Sequence, residues 1–261
     1  MNIVIVIPAH LSSVRFPRKI LCDIYGIPMI EHVRRRALLS DVVSDVYVAT
    51  CDQEISEVVK SYGGQVIMTA NSHTNGTSRV AEAVETIDCS HVIVLQGDEP
   101  LVLPNHLKQV VDTIVTNSTT DAWNTTGPIE RVDELDRQSF VKCVVNRSGK
   151  ILLCFRRTPC YSEFDTQIMF VRKVLGVIAY RKIFLQQLSI SPPSLFEKAE
   201  LIEQMRIIEI GADFRSIPVD PSLPSINEPH ELDIVLKYIE QNQYQADLLQ
   251  KILKWDVELG D

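Results

Sequence analysis

The sequence has no Cys-x-x-Cys pair. Its six cysteines, Cys22, Cys51, Cys89, Cys143, Cys154 and Cys160, are scattered. This argues against thiolate metal ligation and for free thiols in a reducing compartment. Positive charge is not in excess either: the formal net charge is −8, so a nucleic-acid partner is not expected, although a local basic pocket is still compatible. No apolar run approaches the ~18 residues needed to span a bilayer, so no membrane partner is expected. The N-terminus shows no basic segment followed by an apolar stretch and a cleavage site, which leads us to expect no signal peptide and a cytoplasmic protein. No repeat, low-complexity tract or linker interrupts the chain. With 261 residues, 45% of them hydrophobic and 23% charged, it reads as one soluble globular domain over 1–261 with a substantial core.

The chain is organised around its first stretch. Five β-branched residues, Ile3 to Ile7, end at Pro8. A short run that is apolar on both faces reads as a central strand of a parallel sheet covered by helices. Strands are expected again at 45–50, 65–69 and 91–96. Helical patterns lie between them, from Pro28 to about Ser40, after Asp52 (read as the N-cap) and from Thr77 or Ser78. This alternation predicts an α/β fold, a mostly parallel twisted sheet with helices on both faces. Right-handed crossovers put the strand-end loops on one edge, where such sheets bind ligands.

The second half is less regular. We expect a helix over 104–115 and a strand over 123–127. Two strands, 140–146 and 150–155, flank the turn Arg147-Ser148-Gly149. Residues 156–173 show no clean period, Val174 to Tyr180 reads as a buried strand, and Ser194 as the N-cap of a helix carrying Leu195, Leu201, Ile202 and Met205. A strand over 213–219 and two closing helices, the first from Glu228-Pro229 and the second to about Trp255, complete the pattern. The region of about 150–185 reads as an insertion-like arm. It needs somewhere to bury Ile168, Met169, Phe170 and Val171, which predicts a homodimer interface there.

Four loops should converge on one cleft: the basic loop 9–19, with Arg15, Arg18, Lys19, His10 and two serines; Asn75-Gly76-Thr77-Ser78-Arg79; Gln96-Gly97-Asp98-Glu99-Pro100; and Ser225-Ile226-Asn227-Glu228-Pro229. Cations and backbone N–H groups can hold a polyphosphate. A strand-end carboxylate can hold Mg2+, which takes one or two carboxylates together with phosphate oxygens and water. That set suits nucleotidyl transfer, although Asp98 alone could equally serve a turn. His32 reads as a packing residue, and His73 as a surface-loop residue whose place near Gly76 also allows a ligand contact.

These motifs in this order resemble the 3-deoxy-manno-octulosonate cytidylyltransferases (CMP-Kdo synthetases, Kdo being the sugar acid). The resemblance rests on Ile7-Pro8-Ala9, Ser13-x-Arg15-x-Pro17-x-Lys19, Gly26-x-Pro28-Met29-Ile30-x-His32-Val33, Gly76-Thr77-x-Arg79, Gln96-Gly97-Asp98-Glu99-Pro100, Val141-Lys142, Phe155-x-Arg157, Gly176-Val177-x-Ala179-Tyr180-Arg181 and Glu203-Gln204-Met205-Arg206. It covers the chain to about residue 236. It implies a nucleotide-diphospho-sugar transferase-like, Rossmann-like fold with a smaller dimerisation arm. The implied activity is Mg2+-dependent transfer of CMP from CTP to the anomeric hydroxyl of a 3-deoxy sugar acid, releasing pyrophosphate, for lipopolysaccharide biosynthesis. On this chain the resemblance places CTP on Ala9, Ser13, Arg15, Lys19, Gly76, Thr77, Arg79 and Gln96. Lys19 would lie on the phosphates and Asp98 on Mg2+. Arg157, Tyr180, Glu203 and Gln204 fall at the sugar-acid pocket.

The departures are equally specific. The family arginine after Pro-Ala is His10, a candidate for the triphosphate. Pro-Gly-Lys is Pro17-Arg18-Lys19, and the acidic residue before Arg79 is Ser78. A sugar-contacting histidine is Leu175, and the late metal-binding aspartate aligns with Asn227, a neutral and weaker Mg2+ ligand. Glu228 is adjacent but points the other way on an extended segment. These changes raise two expectations: an acceptor related to Kdo rather than Kdo itself, and weakened or rearranged metal binding. A nucleotidyltransferase for another acidic small molecule, or a weakened paralogue that binds CTP without efficient turnover, are the alternative readings.

Overall fold

The structure, a computed structural model, describes residues 1–255. The chain forms two compact units, one of Met1–Val111 together with Leu223 onward, the other of Asp112–Ser222.

The first unit follows the β-α alternation. Strand β1 (Ile3–Ala9) leads into a small ribbon of β2 (Asp23–Ile24) and β3 (Ile27–Pro28), then helix α1 (Met29–Leu38), β4 (Val46–Thr50), α2 (Gln53–Ser61), β5 (Gln65–Met68), α3 (Gly76–Ala83) and β6 (His91–Leu95). The division between units falls within α4 (Pro104–Thr116). Strands β6, β1, β4 and β5 lie side by side and all parallel, with Ile3 opposite His91, Ile5 opposite Val46 and Thr50 opposite Met68. All seven residues of β1 are buried, as an interior strand covered on both faces requires. The carboxyl ends Ala9, Thr50, Met68 and Leu95 therefore share one edge.

The second unit holds β7 (Ala122–Gly127), α5 (Asp133–Asp136), β8 (Lys142–Val145), β9 (Ile151–Phe155), α6 (Phe164–Gln167), β10 (Val171–Arg181), α7 (Lys182–Ile190), α8 (Leu195–Glu200), α9 (Gln204–Glu209) and β11 (Phe214–Pro218). Strand β10 runs antiparallel to β7 and to β8, β8 and β9 form the expected hairpin, and β11 is parallel to β7. The stretch from about 150 to 185 thus contains two strands of this unit's sheet, and 156–170 lies outside it. Phe170 and Val171 pack with Ile129, Leu135 and Phe155, whereas Ile168 and Met169 are exposed. The helix expected after Ser194 is two helices. Ser194 and Glu197 form a reciprocal capping box that starts α8, and Leu201 ends it in the left-handed region at φ 54°. That break turns Leu195 and Leu201 to solvent, while Ile202 and Met205 are buried.

The chain then rejoins the first unit with α10 (Glu231–Gln241) and α11 (Gln243–Leu253). Arg35 of α1 donates to the Ile252 carbonyl of α11 at 2.6 Å. Among the described residues no helix is long and apolar enough to cross a membrane.

Candidate active site

A pocket of about 570 Å3 opens at the carboxyl edge of the first unit's sheet. The segments that follow β1, β4, β5 and β6, together with Asn227 of the returning chain, line it. The end of β1 supplies Ala9, His10, Ser13, Arg15 and Lys19, the start of α3 supplies Gly76 and Arg79, the end of β6 supplies Gln96, Gly97 and Asp98, and the last segment supplies Asn227. Residues 212 positions apart in sequence meet directly: Arg15 Nη2 donates to Asn227 Oδ1 at 3.2 Å.

Lys19 is the hub. Its Nζ donates to Asp98 Oδ2 at 2.6 Å and to the Ile226 carbonyl at 3.0 Å. An ammonium has three donors, so one is still available for a phosphate oxygen. The Ile226 amide in turn donates to the Asp98 carbonyl at 3.0 Å, locking the returning segment onto the β6 turn. The Lys19–Asp98 pair is mostly shielded, with side-chain exposures of 14% and 23%. In this setting the attraction is stronger than between two charges in free water.

Helix α3 starts at the pocket, which Asn75 and Gly76 line. Asn75 is its N-cap, accepting from the Ser78 amide at 2.8 Å, and the first amides of a helix favour anions. Glycine at 76 is required sterically: a Cβ there would lie 2.9 Å from Pro8 Cγ. Arg79 is buried on the next turn, its Nη1 donating to Thr69 Oγ1 at 2.6 Å.

His10 sits at the pocket rim, with Nδ1 3.1 Å from Ser12 Oγ. Its pKa lies below the ordinary 6.5, first because the ring is partly withdrawn from water, then because Arg79 and Lys19 oppose its charge; Asp52 and Asp98 pull the other way. The lowered pKa favours the neutral ring.

Of the nucleotide-side candidates, Ala9, His10, Ser13, Arg15, Lys19, Gly76, Arg79, Gln96, Asp98 and Asn227 all line the pocket; Thr77 is not among its lining residues. Arg18 does not join them, because its guanidinium forks onto Glu54 of α2. Asp52 is not a side-chain cap for α2. Its carboxylate instead accepts from the Leu11 amide at 2.9 Å and so anchors the basic loop. His73, read as a surface residue, lines the pocket and is held by Glu82 and Ser78. Its sequence signal was its place three residues before Gly76. Glu228 is not among the lining residues, and its carboxylate lies 3.6 Å from His230.

The four acceptor-side candidates all belong to the second unit. Tyr180 is buried in β10. It and Glu203 lie near Arg206, whose pKa is raised first by its hydrogen bonds to Glu197 and only secondarily by these two neighbours. Gln204 donates to Asn124 Oδ1 at 3.3 Å, and the Asn124 amide spans the Leu175 and Val177 carbonyls. Arg157 is exposed, within 3.0 Å of the Gln138 amide. Its neighbour Arg156 is committed to the backbone carbonyls of Gln138, Glu200 and Leu201.

The donor set fits Mg2+. Asp98 supplies a carboxylate and Asn227 a carbonyl oxygen in the same pocket, and each oxygen already faces a cation, Lys19 and Arg15 respectively. Mg2+ needs few protein ligands when phosphate oxygens and water complete its shell.

Comparison with known proteins agrees with this geometry. The family described as cytidylyltransferase matches residues 4–216. A 3-deoxy-manno-octulosonate cytidylyltransferase of Chlorobium limicola is 36% identical over 245 residues, covering 93% of this chain and 99% of its own length. The Escherichia coli protein of the same name is 35% identical over 238 residues, 91% of this chain and 96% of that one. A solved CMP:2-keto-3-deoxy-manno-octonic acid synthetase complexed with CTP superposes with a TM-score of 0.86 at 34% identity, covering 92% of this chain and 99% of that one.

Proposed function

The chain belongs to the 3-deoxy-manno-octulosonate cytidylyltransferase family, and we infer that it transfers CMP from CTP to the anomeric hydroxyl of Kdo, releasing pyrophosphate. The observation that carries this reading is the pocket in which Lys19 bridges Asp98 and Ile226 and which Arg15 and Arg79 also line. Among the described lining residues are three cations and one carboxylate, a balance that suits a triphosphate. The sugar hydroxyl attacks the α-phosphorus and the bond to the β-phosphate oxygen breaks. Lys19, Arg15 and Arg79 stabilise the negative charge that moves onto the phosphoryl oxygens and the pyrophosphate. The α3 amides and Gln96 orient the nucleotide. Mg2+, held by Asp98 and Asn227, would supply further charge neutralisation for the departing pyrophosphate. Arg157, Tyr180, Glu203 and Gln204 are assigned to the sugar acid, with Arg157 as the partner of its carboxylate.

The expected departure from Kdo as acceptor is not favoured, because the relatives matched over more than 90% of the chain are named for Kdo. Of the family departures, His10, Arg18, Ser78 and Asn227 all fall in the first unit, and Leu175 alone falls in the second. The changes concern the nucleotide and the metal more than the sugar. Pyrophosphate release from CTP and Mg2+ with Kdo, set beside a panel of modified 3-deoxy sugar acids, tests this. Release with Kdo is expected. Release only with a modified acid would reassign the acceptor. CTP binding without release from any acid would make the protein a binding paralogue.

Two further outcomes follow from the nucleotide side. Replacing Asn227→Asp adds a second carboxylate, so Mg2+ affinity in the presence of CTP should rise about tenfold, the effect of ~1.4 kcal/mol; calorimetric titration measures it, and an unchanged affinity would remove Asn227 from the metal site. His10→Arg restores a permanent cation. At pH 8 it should tighten CTP binding about fivefold, the effect of ~1 kcal/mol. In the parent protein CTP affinity should climb as pH falls through the lowered His10 pKa, because bound triphosphate favours the protonated ring; the arginine variant should lose that share of the slope.

We also propose a cytoplasmic homodimer, with residues around Ile168 and Met169 at its interface. Their exposure supports this reading. A strictly monomeric protein by light scattering would overturn it.

A further inference from the structure

Lys19 follows a residue in an unusual conformation. Arg18 has φ 62° and ψ 17°, in the left-handed region, where a side chain with a Cβ is strained and glycine is at ease. Such a residue persists only when its surroundings hold it there. Its surroundings are specific. The Arg18 amide donates to the Leu11 carbonyl at 3.0 Å. The Leu11 amide donates to Asp52 at 2.9 Å. The Arg18 guanidinium forks onto Glu54, with Nη1 donating to Oε2 at 2.9 Å and Nη2 to Oε1. Both acidic residues belong to the first turn of α2 and its N-cap. The two ends of the loop are thus tied to each other and to one rigid helix, and Ser12, Ser13, Val14 and Arg15 at the loop's tip line the pocket.

We propose that Arg18 and Glu54 form a clasp that positions the phosphate-binding loop and Lys19, with neither residue touching the substrate. This rests on the nucleotide reading of the pocket. An ordinary exposed ion pair contributes little. This one matters because it holds a strained backbone torsion directly before the hub lysine. Hydrogen bonding from Arg18 keeps the Glu54 carboxyl below its usual pKa range, so the clasp is charged at neutral pH. With the clasp released, Arg18 relaxes towards ordinary torsions and the loop spends part of its time open. Apparent affinity falls by the fraction of time the loop is competent, whereas turnover at saturating CTP is kept.

The test uses three variants of the full chain: Glu54→Ala, Arg18→Gly, and both together. Amide hydrogen exchange of the ligand-free proteins reads the loop, and calorimetry reads CTP binding. Glu54→Ala should speed exchange over residues 11–19, raise the Kd and KM for CTP about fivefold, and leave kcat near the parent value. A residue that only stabilised the fold would reduce the active fraction, hence kcat, and leave KM alone. Glycine at position 18 accepts the torsion without help. Glu54→Ala should therefore have almost no effect in the Arg18→Gly background. Unchanged exchange and affinity in Glu54→Ala, or the same loss in both backgrounds, would overturn the clasp. A parent protein that fails to bind CTP would instead overturn the nucleotide reading, and the exchange result would still judge the clasp.

Discussion

Lys19→Met is expected to lower kcat by two to three orders of magnitude, about 3–4 kcal/mol of transition-state stabilisation, with a smaller effect on CTP binding. The size follows from position. The ammonium sits in a mostly shielded pocket, already fixed by Asp98 at 2.6 Å and the Ile226 carbonyl at 3.0 Å, so no reorganisation is needed when charge develops on the phosphates. Methionine keeps the length and packing of the stem and removes only the donors and the charge. Arg15 and Arg79 remain in the pocket, which is why binding should survive better than turnover. Pre-steady-state measurement of pyrophosphate release, beside equilibrium CTP binding, separates the two. A variant with kcat within tenfold of the parent would remove Lys19 from the chemistry and leave it as a structural tie.

Asp98→Asn should be as damaging by a different route. The substitution keeps the shape and removes the one lining carboxylate. Mg2+ affinity should fall by at least tenfold and kcat by two orders of magnitude or more, since the metal's share of charge neutralisation is lost with its ligand. Lys19 would then lose its ion-pair partner. Thermal unfolding of ligand-free Asp98→Asn should therefore occur at lower temperature than the parent, by about 1–2 kcal/mol of stability, less than the cost of splitting a fully buried pair. The double variant Lys19→Met/Asp98→Asn checks this: it should be more stable than Asp98→Asn alone, because the unpaired ammonium is gone. Full Mg2+ affinity in Asp98→Asn would show that the metal is held elsewhere.

The two results together bear on why Asn227 is tolerated. In this pocket an asparagine meets Arg15 at 3.2 Å and its backbone amide meets Glu231 at 2.6 Å. Its position is secured by contacts that do not require a charge. One carboxylate, balanced by Lys19, then leaves the pocket net positive before nucleotide arrives, which favours binding the metal together with the triphosphate rather than ahead of it.

Local chemistry was enough to reveal the frame. The unbroken apolar run Ile3–Ile7 and the repeated strand-then-helix pattern already required a parallel sheet with its loops on one edge, because strands buried on both faces cannot alternate polar and apolar residues. The residue types in those loops were enough to name most of the pocket, from His10 to Gln96 and Asp98. What only the tertiary structure decided concerns partners far apart in the chain. Nothing local distinguishes Asp52 as the anchor of Leu11 from Asp52 as an ordinary helix cap, since both roles use the same carboxylate after a strand. Arg18 looked like one more phosphate-facing cation, and its torsion and its grip on Glu54 appear only when the loop is closed against α2. The break at Leu201, which turns Leu195 and Leu201 outward, comes from one left-handed residue that the hydrophobic period cannot register. Periodicity reports which face of an element is apolar; which charged group meets which is set by the three-dimensional path of the chain.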